Sequence, residues 1–175
     1  MRTLNSKSIW LSLALTCLVL VVASFVLTAQ LHLHPCHLCI LQRLLFMLLS
    51  GFTLLAAVFS PGLTSRLIGI LALATSATGI GVAGYQIWLQ AQPMDPFSCT
   101  SGTPELIEHM VDWLGRLAPE MFMATGLCQE VELRILTLSL AGWALIAFSA
   151  ALIAGGVALW SGRKNRPGRL WFSGN

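Results

Sequence analysis

Charge is scarce in this chain. Of 175 residues, ten are Lys or Arg and seven are Asp or Glu, together 10%. A soluble domain usually carries about a quarter charged residues, so an ordinary water-soluble globule is excluded. Acidic residues are missing altogether from residues 1–94 and 133–175, and all seven lie between Asp95 and Glu132. Apolar sequence fills the gaps, at 56% of the chain. Four apolar stretches, residues 9–29, 39–59, 67–89 and 135–160, are each long enough to cross a bilayer, which takes roughly 20 helical residues. Lipid offers the backbone no hydrogen-bond partners, so such runs are helices. The expected fold is an all-α membrane protein, a single integral domain built as a four-transmembrane-helix bundle.

Arg2 and Lys7 before the first stretch imitate a signal peptide. Its apolar core is longer than the usual run of about 7–15 residues, and Leu27 fits poorly before a cut after Ala29; a retained helix is expected. The remaining charges set the orientation. Arg2, Lys7, Arg66, Arg163, Lys164, Arg166 and Arg169 gather on one inferred side. Lys and Arg near helix ends mark the cytoplasmic face. Residues 1–8, 60–66 and 161–175 are therefore expected in the cytoplasm, with loops 30–38 and 90–134 opposite. Four crossings return the chain to its starting side, in agreement. The net charge of +3 follows from this topology and calls for no nucleic-acid partner.

Cysteine is the informative minority. Cys17 lies in the middle of the first apolar stretch and reads as a small packing residue. Cys36, Cys39, Cys99 and Cys128 fall two to each non-cytoplasmic loop, where an oxidising compartment allows disulfides to persist. Four cysteines permit three connectivities; adjacency favours Cys36–Cys39 and Cys99–Cys128. A structural staple explains the second pair. It explains the first poorly, because so short a ring constrains little chain.

The segment "HLHPCHLCILQR", residues 32–43, admits three chemistries. Attachment of c-type haem requires Cys-x-x-Cys-His, and here Ile40 follows Cys39. A zinc or copper(I) site could draw on His32, His34, Cys36, His37 and Cys39, but few of these can converge where the chain runs straight into a helix. A redox pair fits the position better. Cys39 would lie in the first helical turn, where unpaired N–H groups and the dipole favour a thiolate. Arg43, four residues on, shares its face and could help hold an anion beside it, or could simply anchor the helix at the interface.

These residues resemble a known family. "PCHLCILQR" is similar to the Pro-Cys-x-x-Cys-x-x-x-Arg segment of the bacterial disulfide-bond formation protein B (DsbB) family. "YQIWLQ" (85–90) and "GLCQE" (126–130) followed by "LSLAGWALIAF" resemble its third-helix end and its entry to the fourth helix. Many members carry Arg where Tyr85 stands and Pro where Ala141 stands. The resemblance implies a thiol:quinone oxidoreductase of the bacterial inner membrane, with both termini cytoplasmic and the four cysteines periplasmic. It implies a periplasmic DsbA-like thioredoxin-fold oxidase as partner, and ubiquinone or menaquinone as electron acceptor. By the same resemblance Cys99 is attacked by the partner's thiolate, Cys128 resolves and then exchanges with Cys36, and Cys39 is the thiolate beside the quinone with Arg43 close to the ring. DsbA is a strong oxidant at about −120 mV, and each 30 mV is worth roughly 1.4 kcal/mol for two electrons. Reoxidising it repeatedly calls for a sink such as a lipid-soluble quinone. The competing readings are a non-enzymatic metal-binding membrane module built on residues 32–39, and a structural membrane protein with inert disulfides.

"TPELIEHMVDWLGRL" (103–117) has the signature of one helix in the long loop. Thr103 would cap it, Pro104 would take the first helical position and Glu105 would lie in the first turn. Leu106, Met110, Trp113, Leu114 and Leu117 recur at helical spacing, as expected of a short helix lying in the membrane interface, with Glu108 and Asp112 on its solvated face. Ala147, Ala151 and Gly155, and likewise Ala77 and Gly81, have the four-residue spacing that lets membrane helices pack closely.

Overall fold

The computed structural model describes residues 6–32, 34–60, 62–92, 104–122, 124, 126, 134–135 and 137–164. Four long helices carry the fold: α1 (Ser6–Gln30), α2 (His37–Val58), α3 (Leu63–Gln90) and, last in the chain, α6 (Leu140–Lys164). Between α3 and α6 lie α4 (Glu105–Leu117), the single turn α5 (Pro119–Phe122), and two short strands, β1 (Arg134–Ile135) and β2 (Leu138–Ser139). All four long helices are long and apolar enough to cross a membrane. They run alternately up and down. α1 packs on α2, α2 on α3, α3 on α6, and α6 closes the ring against α1.

Polar side chains tie the helices together pairwise. Ser6 Oγ donates to Ala158 O at 2.9 Å, joining α1 to α6. Ser50 Oγ donates to Ala14 O at 3.2 Å, joining α2 to α1, and Ser65 Oγ donates to Ala56 O at 2.7 Å across the short α2–α3 turn. Where lipid competes with no hydrogen bond, such links and close packing replace the hydrophobic effect. Phe46 and Phe148 stack at 4.0 Å in the centre. The indole of Trp10, 1% exposed, lies beside Gly69 and Gly155, where an added Cβ would stand 2.9 Å and 3.6 Å from it.

The small-residue faces are partly where the spacing put them. Ala151 and Gly155 are buried, and Ala147 packs against the core. Ala77 and Gly81, however, are exposed, with nothing within 4 Å of a Cβ built at Gly81. The face of α3 that packs is Ser65, Gly69, Ala72, Ser76, Gly79, Ala83 and Gln86. Its steps of four and three residues alternate, the 3.5-residue period of a helix staying in contact with neighbours.

The fourth long helix starts at Leu140, later than the apolar run beginning at residue 135 implies. Thr137 takes a left-handed conformation, φ 71°. The chain folds back there, pairing Arg134 with Ser139 and Ile135 with Leu138. Ser139 Oγ then accepts from Gly142 N at 3.3 Å, a side-chain cap that begins the helix. Hydropathy is blind to this, because the apolar run continues through the turn. In α4 the cap position is Pro104, one residue later than expected, and the helix runs from Glu105; Thr103 lies outside the described residues.

Candidate redox site

The site grows from one helix start. Pro35 biases the residue before it, His34, away from helical geometry, and Cys36 after it is extended, φ −82° and ψ 168°. Its sulfur accepts from Cys39 N at 3.4 Å, so Cys36 is the N-cap of α2. A cap side chain reaches the third helical residue, and that residue is Cys39. The Cys-x-x-Cys spacing is thus the spacing of a cap, which brings the two sulfurs together. Cys36 Sγ donates to Cys39 Sγ at 3.0 Å, a dithiol. Cys36 is 3% exposed and Cys39 half-buried. Leu38, Leu89 and Ile107 pack around them.

Two glutamines, Gln42 and Gln86, complete this layer. Gln86 Nε2 donates to Cys39 Sγ at 3.1 Å and approaches Cys36 Sγ at 3.5 Å. Gln42 Nε2 donates to Gln86 Oε1 at 2.8 Å. Both are buried, Gln42 at 6% and Gln86 at 2% exposure. A signal for them existed. Polar side chains inside a membrane helix face the bundle interior and mark function, and Gln86 continues the small-residue face of α3.

Arg43 lies one turn beyond Cys39 and is also buried. Its Nε donates to Ser24 Oγ at 3.2 Å and its Nη2 to Thr28 Oγ1 at 2.8 Å. Its guanidinium carbon lies 4.2 Å from the centre of the Phe25 ring, a cation–π distance. The side chain is therefore fixed by α1 within the bundle. Among the described residues no carboxylate pairs with it.

The second loop reaches this layer twice. Val111 of α4 is buried, and Ile107 packs on the cysteine cluster. Asp112 is exposed, as expected of a solvated face, and its Oδ1 also lies 3.3 Å from His37 Nε2, so it touches the residue between the two cysteines. Leu106, Met110, Trp113 and Leu117 are exposed along another side of α4. Further on, Gly126 N donates to Pro35 O at 3.3 Å. A Cβ at Gly126 would collide with the His34 carbonyl oxygen. Cys99 and Cys128 lie outside the described residues, but Gly126 is two positions before Cys128 and Pro35 immediately precedes Cys36.

Cys17 is buried in α1 among core residues, as a packing residue should be. Among the described residues no three His, Cys, Asp or Glu side chains come together as a metal-ligand set; His32 and His34 are exposed.

Comparison with known proteins identifies the bundle. The family model for "Disulfide bond formation protein DsbB" matches residues 6–158. The chain is 42% identical over 156 residues to disulfide bond formation protein B of Dechloromonas aromatica, covering 89% of this chain and 92% of that protein. It is 33% identical over 153 residues to the protein of the same name from Marinobacter nauticus, covering 87% and 90%. It is 32% identical over 157 residues to that from Azoarcus, covering 89% and 92%. The match begins with the first membrane helix and reaches into the fourth, and on that extent the chain belongs to the DsbB family of disulfide bond formation proteins and is a multi-pass membrane protein.

Proposed function

We propose that this protein is a thiol:quinone oxidoreductase that reoxidises a periplasmic DsbA-like oxidase. The observation that carries the proposal is a cysteine pair, one buried and one half-buried, at the start of a membrane helix, one turn from a buried Arg43 with no carboxylate partner among the described residues. A buried cation in such a place suits an anionic or electron-rich guest. That makes the surroundings of Cys39 and Arg43 a reasonable fit for a quinone, ubiquinone or menaquinone, which accepts two electrons and two protons.

The chain's own steps are thiol–disulfide exchanges. The partner's thiolate attacks Cys99 of a Cys99–Cys128 disulfide and Cys128 leaves as thiolate; the partner's second thiol then resolves the mixed disulfide. Cys128 attacks Cys36 of a Cys36–Cys39 disulfide, forming a Cys128–Cys36 bond and expelling Cys39 as thiolate. Attack by Cys99 on Cys128 restores the loop disulfide and leaves Cys36 and Cys39 reduced, with their electron pair available to the acceptor. Each exchange needs a thiolate in line with a disulfide sulfur. The hydrogen bond from Gly126 to Pro35 supports the approach of Cys128 to Cys36. The exposed apolar side of α4 supports an interfacial position for that helix, keeping the loop near the membrane.

The orientation follows from charge. Lys7 and Arg66 lie at the end of the bundle opposite the cysteines, as do the positions of Arg163 and Lys164. By the positive-inside rule that end and both termini are cytoplasmic, and the cysteine end is periplasmic, in a bacterial inner membrane. The test mixes purified protein, a reduced thioredoxin-fold partner and quinone, and follows quinone absorbance. Cys36→Ser and Cys39→Ser should each abolish turnover; quinone-coupled turnover surviving in either rules the mechanism out.

A further inference from the structure

We propose that Gln86 is a catalytic residue that stabilises, by a donated hydrogen bond, the thiolate released at Cys39 during exchange, and that Gln42 positions it by fixing which way its amide points. The proposal rests on the exchange role of the cysteines given above.

The geometry has a direction. Gln42 Nε2 donates to Gln86 Oε1 at 2.8 Å. With its oxygen so occupied, Gln86 can present only its N–H groups to the sulfurs, and Nε2 lies 3.1 Å from Cys39 Sγ and 3.5 Å from Cys36 Sγ. A thiolate is an acceptor with no proton to give, so this polarity is the one it needs. Turned over, the same amide would set a carbonyl oxygen against the sulfur. Gln42 thus acts through Gln86, and a donor polarised by its own partner is a stronger donor. Both amides come from the bundle interior, α2 and α3, where low dielectric enlarges the effect of a fixed dipole.

The step that uses this is the opening of the Cys36–Cys39 disulfide. The incoming thiolate forms a bond to Cys36 Sγ, the S–S bond breaks, and its electron pair goes to Cys39 Sγ. Gln86 receives no proton and loses none. It donates a hydrogen bond that is stronger to the departing thiolate than to the disulfide sulfur. Charge-assisted hydrogen bonds are about twice as strong as neutral ones, so the interaction favours the transition state over the ground state. Sequence neighbours do not reveal this residue. Gln86 lies 47 positions from Cys39, and only the packing of α3 on α2 brings them together.

The experiment compares Gln86→Met, Gln42→Met and the double variant with the full-length protein in detergent. Three quantities are read: the alkylation rate of Cys39 by iodoacetamide in the reduced protein at fixed pH, the turnover with dithiol partner and quinone, and the thermal unfolding midpoint. Gln86→Met should slow Cys39 alkylation about threefold at a pH below the thiol's titration, since losing one hydrogen bond to a charged group costs about tenfold in thiolate and the more basic thiolate regains part of that in nucleophilicity; it should also lower kcat while leaving KM for the dithiol partner unchanged. Gln42→Met should move both in the same direction by less. The double variant should be no slower than Gln86→Met alone, since coupled residues are non-additive. Wild-type alkylation in Gln86→Met, or losses that merely follow a fall in the unfolding midpoint, would overturn the role of Gln86. Additive losses in the double variant would overturn the relay through Gln42. Failure of the exchange role itself shows differently, as turnover persisting in Cys36→Ser or Cys39→Ser.

Discussion

At the scale of single residues, a few polar side chains in an apolar bundle do most of what distinguishes this protein. Arg43 is the clearest case. Its guanidinium is held by two hydroxyls and an aromatic ring of α1, a planar geometry that a ring nitrogen or a lysine does not reproduce. Arg43→His should therefore raise the KM for quinone several-fold, while single-turnover exchange between the dithiol partner and the cysteines keeps its rate. Steady-state kinetics at varied quinone concentration, with the exchange measured in its absence, separates the two. Arg43 was visible in the sequence because a cation in a membrane stretch stands out. Gln42 and Gln86 are harder to see, because an uncharged amide does not stand out in an apolar stretch and its value depends on what it faces.

At the scale of elements, the cap of α2 and the docked loop segment define the site. Two cysteines three residues apart at a helix start are legible from "PCHLC" and the apolar run after it; that Cys36 is the cap and Cys39 the residue it reaches comes from the structure. The seat of the second loop is not. Gly126 touches Pro35 and His34 at a point where a side chain has no room, and the obstacle is backbone, which cannot rotate away. Gly126→Ala should displace this segment and slow transfer between the loop cysteines and Cys36, leaving attack by the partner on the loop unchanged. Rapid quenching with alkylation, resolving the two exchanges, checks it; equal slowing of both would argue against the docking. The start of α6 carries the same lesson. An apolar run from residue 135 is indistinguishable from helix by hydropathy, yet Thr137 turns the chain and Ser139 caps the helix afterward. Ser and Thr side chains compete with helical hydrogen bonding in this way, and the outcome depends on the pairing of residues 134–135 with 138–139.

At the scale of the whole molecule, the bundle is held by shape where the hydrophobic effect gives little between lipid-facing helices. The contrast between Gly79 and Gly81 tests this directly. A Cβ at Gly79 would stand 2.5 Å from the ring of Phe148, which itself stacks on Phe46. A Cβ at Gly81 would meet nothing within 4 Å. Gly79→Ala should destabilise by about 1–3 kcal/mol, the usual cost of overpacking. Gly81→Ala should be neutral or stabilising by up to about 1 kcal/mol, since it restrains the unfolded chain without strain. Thermal unfolding in detergent, with intrinsic fluorescence as probe, distinguishes them; equal effects would mean the α3 face has been misplaced.

The sequence by itself determined the four membrane helices, their alternation and the placing of Cys36 and Cys39 at the start of the second. These follow from hydropathy, the positions of Lys and Arg, and the spacing of the two cysteines, all of which act within one segment. The tertiary structure alone decided which face of α3 packs, where α6 begins, and that two glutamines from different helices converge on the sulfurs. Each of these is settled by a neighbour far away in the chain. Small residues lie on more than one side of α3, and its neighbours in the bundle, the ring of Phe148 and the side chains of Leu159 and Trp10 among them, select the side that is buried.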